Sequence, residues 1–387
     1  MSTESIADQI KFAYWVPNVS GGLVISKIAQ RTSWDAPYNR RLAQIAEEAG
    51  FDYALTQIRF TAGYGAEYQH ESVAFSHALL AATSRLKVIA ALLPGPWNPT
   101  LAAKQIATIS QITEGRIAIN VVSGWFSGEF RAIGEPWLDH DERYVVTDEF
   151  LHIWRGLMAG ETVSYAGKHL RVEEGRVIFP PVQTPYPPLY FGGSSAPGIA
   201  VAAEHCDVYL TWGEPPAQAG EKIARVREAA AARGRTLRYG VRLHVITRDT
   251  SEQAWAVAQA MLDAIPEELV RRQQQALRAS ESEGQRRMLA LHGGDRRNLE
   301  IHPGLWAGSG LIRGGAGTAL VGSHEEVADL IRQYEAVGFT DFVLSGHPCL
   351  EEAWWFGEGV RPRVDRPEAS PRTADARRRE RAAAAVD

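Results

Sequence analysis

PLYFGGSS, residues 188 to 195, is the stretch from which the rest of the chain is best read. Leu189 to Phe191 reads as a short buried strand that runs into two glycines and then two serines, and a helix-like run, Ala196 to Glu204, follows at once. Gly192 and Gly193 let another molecule approach the backbone closely. Ser194 and Ser195 offer hydroxyls, and the start of the helix presents unpaired N–H groups at its positive end. Strand, glycines, hydroxyls and helix start together make a phosphate cradle. The same residues would also serve as a tight turn with serine caps.

Outward from this stretch, strand-like and helix-like runs alternate along the whole chain. The strands are expected at 11–17, 52–58, 87–95, 116–124, 189–191, 207–213, 237–247 and 339–345. Three times a helix ends at a glycine (Gly50, Gly115, Gly338) just before the next strand, as expected for a left-handed residue that stops the helix. Strands that are apolar throughout and joined by helices indicate a parallel sheet covered by helices. Eight such units predict an α/β fold, a closed (β/α)8 TIM barrel with insertions. The alternative, an open doubly wound sheet, would favour a G-x-G-x-x-G after the first strand, and the sequence lacks one. One domain, 10–363, is expected, with a pair of short strands inserted at 161–178 and a charged, glycine-rich lid insertion at about 265–315. The Pro-, Arg- and Ala-rich segment 364–387 reads as a mobile tail.

The chain has 387 residues and a formal net charge of −5, which argues against a nucleic-acid surface. No apolar run approaches the length that spans a bilayer, and MSTESIADQIKFAYW carries no basic end followed by an apolar core, so a cytoplasmic protein without membrane contact is expected. Cys206 and Cys349 are too few for a disulfide framework.

In such barrels the chemistry sits at the C-terminal ends of the strands. That rule selects Asn18, Gln57 and Arg59, Pro94 to Asn98, Ser123 and Gly124, Gly192 to Ser195, Thr211 and Trp212, and Ser345 to His347. Arg242 and His244 lie two apart within the seventh strand, so both face the same side. An Arg and a His facing a barrel interior need a partner or an anionic ligand, and a carboxylate from a neighbouring strand is the structural alternative. Arg313 is set among glycines in LWAGSGLIRGGAGTALVG (305–322), which suits a closing lid that delivers a cation and also suits a surface loop. Trp15, Trp97 and Trp212 are candidate walls for a flat ligand. His70 and His77 lack the partners of a metal site, and no G-x-S-x-G is present.

LDHDERY (138–144), KHLRVEEGRVIFPPVQTPYPPLYFGGSS (168–195), YGVRLHVITRD (239–249), NLEIHPGLWAGSGLIRGGAGTALVG (298–322) and FVLSGHPCLEEA (342–353) resemble the alkanesulfonate monooxygenase branch of the bacterial-luciferase-like flavin enzymes. WVPNVSGGLVISKIAQRT (15–32) is similar to the dimethyl sulfone monooxygenases within that group. The resemblance implies reduced FMN (FMNH2) delivered by a separate NAD(P)H-dependent FMN reductase, O2 as co-substrate, cleavage of a C–S bond in a small organosulfur compound, and a homodimer or homotetramer. It implies that Ser194, Ser195 and Tyr144 contact the FMN phosphate, with Gly192, Gly193, Ser123 and Trp212 completing the cofactor site. Arg242, His244 and Arg313 match residues that the family places around the substrate and the reacting groups; His347 at the end of the eighth strand is a further catalytic candidate, and Trp15, Asn18, Gln57 and Trp97 near the strand ends are the candidate substrate pocket. His347 stands where the alkanesulfonate enzymes have tyrosine, and Asn18 to Gly22 replace their His-Gly-Asp-Gly. The expected reaction is therefore oxidation of dimethyl sulfone to methanesulfinate and formaldehyde. A short-chain alkanesulfonate monooxygenase, a non-catalytic flavin-binding barrel and a deazaflavin-dependent hydride-transfer enzyme remain the alternatives.

Overall fold

The computed structural model describes residues 10–21, 28–29, 31–60 and 66–365. Eight parallel strands close on themselves: β1 (Lys11–Trp15), β2 (Tyr53–Leu55), β3 (Lys87–Leu92), β4 (Ile117–Val121), β5 (Leu189–Phe191), β6 (Val208–Trp212), β7 (Arg238–Arg248) and β8 (Asp341–Gly346), with β8 pairing back onto β1. Helices lie between them, so the expected (β/α)8 barrel is present. Its strands are buried along nearly their whole length because helices cover the outside and packed side chains fill the inside, which is why they lack an alternating pattern. Gly50, Gly115 and Gly338 all take positive φ (86°, 81° and 111°) where a helix turns back into a strand.

The helix Pro99–Ile112 starts as its sequence dictates, with Asn98 accepting from the Thr100 and Leu101 amides and proline in the first turn. Ser323 and Glu326, a serine followed three residues later by a glutamate, form a complete capping box at the start of the helix His324–Ala336. The helix Ser251–Asp263 is capped by the Thr250 hydroxyl, which accepts from the Gln253 amide at 3.3 Å. At the closed end of the barrel, Arg238 of β7 forks onto Asp341 of β8, and the Tyr190 hydroxyl donates to the same carboxylate at 3.3 Å.

One feature departs from the expected order. The strand Ala319–Ser323, at the end of the segment read as a lid, pairs in parallel with the upper half of β7, His244 to Arg248. The lower half of β7, Arg238 to Arg242, pairs with β6. β7 is long because two neighbours share one of its edges. The junction falls at Leu243 and is stitched by Gly213 N to Arg242 O (3.1 Å), His244 N to Thr318 O (2.8 Å) and the Thr318 hydroxyl to Gly213 O (2.7 Å). Arg242 and His244 therefore straddle the point where the insertion enters the barrel wall.

The inserted short strands form the antiparallel hairpin Val163–Ala166/Arg171–Gly175. The lid insertion contains the helices Glu267–Arg278 and Glu283–His292 and a small hairpin, Glu300–His302/Leu305–Trp306. Of the tail, residues 366–387 lie outside the described residues, as do 1–9, 22–27, 30 and 61–65.

Candidate active site

The loop expected to cradle a phosphate is built by close backbone approach. A Cβ on Gly192 would stand 2.3 Å from the Leu210 carbonyl oxygen, and one on Gly193 would stand 3.0 Å from Gly198 Cα and 3.2 Å from the Tyr144 hydroxyl. Any side chain at either position would push the chain off the next strand or off the helix start. Ser195 caps the helix Ala196–His205, and the Gly198 amide donates to its hydroxyl at 3.4 Å. The Tyr209 hydroxyl donates to Gly193 O at 2.9 Å and fixes the loop. Tyr144 and Arg143 enter from the first turn of the helix His140–Met158. Arg143, Tyr144, Gly192, Gly193, Ser194 and Ser195, together with Ser123 and Trp212, line a cavity of about 130 Å³.

A second cavity, about 220 Å³, shares Gly192, Leu210, Trp125 and Trp212 with the first and occupies the barrel mouth. Its cationic character comes from Arg59, Arg242 and Arg313, and no carboxylate lies among its described lining residues. Trp15 anchors two of these charges: the Arg242 and Arg313 guanidinium carbons sit 4.4 and 4.5 Å from its ring centre. Arg242 Nη1 also donates to Leu243 O at 2.7 Å. Arg59 pairs with Glu129 at 3.4 Å behind the wall and lies 4.8 Å from the Trp125 ring.

His244 has both ring nitrogens engaged. Nε2 faces Ala316 O at 3.1 Å and Nδ1 faces the Ser345 hydroxyl at 2.8 Å. A carbonyl can only accept, so Nε2 carries the proton and Nδ1 accepts from Ser345. Burial, reinforced by the charges of Arg242 and Arg313, holds the imidazole pKa well below its ordinary value, and the ring is neutral at neutral pH.

The Arg313 segment is folded inward. Arg313 is 5% exposed, Gln274 Nε2 donates to Leu311 O at 2.8 Å, and Gly315 N donates to Gln285 Oε1 at 2.9 Å. The insertion is tied to the barrel by a buried charge cluster. Arg287 and Lys222 both pair with Glu214, and Lys222 Nζ also donates to the Thr211 hydroxyl at 2.9 Å.

The structure brings Ser123, Tyr144, Gly192, Gly193, Ser194, Ser195 and Trp212 together around the first cavity, and Trp15, Gln57, Arg242 and Arg313 around the second. His244 touches the mouth through Ala316. Three candidates lie elsewhere. Asn18, at φ 38°, is a buried clamp whose Nδ2 donates to Gln57 O (3.1 Å) and His70 O (2.7 Å) while its Oδ1 accepts from Gln57 N (3.1 Å). It positions Gln57 and does not line the cavity. Trp97 packs 5.3 Å from the Phe60 ring, outside both sets of lining residues. His347 is buried near Arg31, Arg248 and Glu351, and burial with the two arginines pushes its pKa down to about 4. Arg143, Trp125, Asn120, the linker residues Glu281 and Ser282 and the helix start Glu283–Gly284 also line the cleft and were not singled out from the sequence. For Arg143 the available signal was a cation in the first turn of a helix, directly before a candidate tyrosine.

The described residues hold no group of three or more His, Cys, Asp or Glu suited to a metal ion, and no described helix is long and apolar enough to cross a membrane.

The family model of the luciferase-like monooxygenases matches residues 10–341. Over 376 residues the chain is 48% identical to an FMNH2-dependent dimethylsulfone monooxygenase of Pseudomonas putida, covering 95% of this chain and 99% of that protein. Among solved structures, a riboflavin lyase with modified FMN and substrate riboflavin superimposes with a TM-score of 0.78 at 20% identity, covering 92% of this chain and 91% of that one. DmoA from Hyphomicrobium sulfonivorans does so with a TM-score of 0.75 at 21% identity, covering 92% and 88%. Both structures share the fold of this chain.

Proposed function

This chain belongs to the luciferase-like monooxygenase family, and from that premise we propose that it is an FMNH2-dependent monooxygenase that cleaves a C–S bond of dimethyl sulfone. The observation that carries the reading is the 48% identity, over nearly the full length of both chains, to the Pseudomonas putida enzyme of that name. The overall reaction balances as dimethyl sulfone + FMNH2 + O2 giving methanesulfinate, formaldehyde, FMN and water, with one oxygen atom entering formaldehyde and the other entering water.

The residues present fit FMN. The two glycines admit a phosphate to the backbone, the Ser194 and Ser195 hydroxyls and the helix start can donate to it, and Tyr144 stands beside them. Trp212 and Gly192 line both cavities, so a ligand held by its phosphate at the cradle can extend into the mouth. Bound FMNH2 supplies the two electrons with which O2 is activated. Arg242 and Arg313 then stabilise negative charge that develops in the mouth, as preorganised cations in a water-poor site do. They also donate hydrogen bonds to the sulfonyl oxygens of a neutral sulfone. His244, neutral and donating to Ala316 O, acts on this reading as the residue that holds the lid segment in register. The inward lid excludes water from the reacting groups.

The same pair of cations would also suit a sulfonate, so methanesulfonate oxidation with release of sulfite is the second reading. As partner the proposal includes an NAD(P)H-dependent FMN reductase. The barrel, 10–363 with its insertion, acts on this reading as one unit in a cytoplasmic homo-oligomer. The test is purified protein with a supplied FMN reductase and each substrate in turn. Formaldehyde and methanesulfinate from dimethyl sulfone support the proposal, and sulfite from methanesulfonate with no dimethyl sulfone turnover replaces it with the second reading.

A further inference from the structure

The linker that closes the cradle is acidic at the point where the cradle is positive. Arg143 is 5% exposed and lines the first cavity. Its Nη1 donates to Leu138 O at 2.6 Å, its guanidinium carbon lies 3.9 Å from the Trp137 ring centre, and its Nη2 donates to Glu281 Oε2 at 3.1 Å. Glu281 belongs to the linker between the helices Glu267–Arg278 and Glu283–His292, and its side chain is 58% exposed. The linker is pinned just after this residue. Ser282 caps the second helix by accepting from the Gln285 amide at 3.3 Å, and Gly284 lies so close to Trp212 that a Cβ would stand 3.0 Å from the indole. Glu281 is thus held over the cleft by its neighbours, while its own carboxylate reaches the cradle's buried cation.

Taking the cleft as the FMN site proposed above, we infer that Glu281 is a built-in competitor for Arg143, occupying the guanidinium until the cofactor's phosphate displaces it. A guanidinium fork donates to carboxylate and to phosphate in similar geometry, and the phosphate carries the larger charge. Both anions cannot stay in one small cavity without repulsion, so phosphate binding sends the exposed carboxylate to solvent, where its desolvation cost is small. The consequence is an affinity lowered by the cost of breaking the pair. That suits an enzyme that must draw reduced flavin from a shared pool and return the oxidised form after each turnover. Arg143 is then a recognition residue for the phosphate, and Glu281 sets how tightly the cofactor is kept.

The experiment titrates the full chain with oxidised FMN and with riboflavin, which lacks the phosphate, by flavin fluorescence at fixed ionic strength. Three proteins are compared: the native chain, Glu281→Gln, and the control Glu268→Gln, whose carboxylate pairs with Arg271 on the insertion surface. Glu281→Gln is expected to bind FMN roughly two- to fivefold tighter, the range set by a partly exposed ion pair. It should leave riboflavin affinity unchanged, and Glu268→Gln should match the native chain. In an Arg143→Lys background the gain from Glu281→Gln should shrink. The Glu281→Gln comparison stands alone if that background fails to fold. Unchanged or weaker FMN binding by Glu281→Gln, in a native chain that prefers FMN to riboflavin, overturns the inference and leaves the flavin reading intact. A native chain that binds FMN no better than riboflavin overturns the cradle itself, and the inference with it.

Discussion

At Trp15 two positive charges meet one indole: Arg242 arrives from β7 and Arg313 from the lid, each within 4.5 Å of the ring centre. The ring's negative face makes this gathering of cations tolerable. Fixed cations aimed at developing charge account for large rate effects, so Arg242→Gln should lower kcat/KM by about 10²–10³. FMN affinity, set at the cradle, should change little. Steady-state assay with fluorescence titration separates the two effects. His347 makes a different prediction. Its pKa is pushed down to about 4 from a usual 6.5. Between those values the unfolded chain binds the proton and the folded chain does not, so this group makes stability rise as pH increases from about 4 to about 6.5. His347→Asn should flatten that part of a melting-temperature curve. A pair such as Arg242 and His244 is legible in sequence because spacing two on a strand fixes a common face. The roles of Asn18 and Arg143 are not legible, because both depend on partners far along the chain, 138 residues away for Arg143 and Glu281.

At the scale of elements, the lid and its junction with β7 matter most. A Cβ on Gly317 would stand 2.5 Å from Gly310 Cα, backbone against backbone, so the inward turn of the segment tolerates no side chain there. Gly317→Ala should displace Arg313 and admit water. The expected result is at least tenfold more hydrogen peroxide released per FMNH2 oxidised, with FMN affinity nearly unchanged, measured by peroxide and oxygen assays together. The helix His324–Ala336 offers a simpler check. Its complete capping box means that Ser323→Ala should cost about 1 kcal/mol in denaturant unfolding. Most strands were readable as apolar runs bounded by glycine and a helix start. The strand Ala319–Ser323 was not, because its short apolar run merges with the glycine-rich segment before it. Its pairing is decided by the free upper edge of β7, which sequence does not display.

For the whole molecule, closure of the barrel brings groups from β1, β4, β5, β6, β7 and the insertion to one rim. The periodic alternation of strands and helices makes that closure predictable from sequence, and the proposed site is read at the strand ends that closure gathers. The cluster of Glu214, Lys222 and Arg287 ties the insertion to β6, so lid and cradle share one anchor. The central claim is a matter of placement: the phosphate lies beyond β5 and the flavin ring faces β7. A crystal of the protein soaked with FMN tests it most directly. The account predicts the phosphate within hydrogen-bond reach of the Ser194 and Ser195 hydroxyls and the ring in the mouth beside Trp212, toward Arg242. Density for FMN in any other cleft, or with the ring and phosphate ends exchanged, would contradict it.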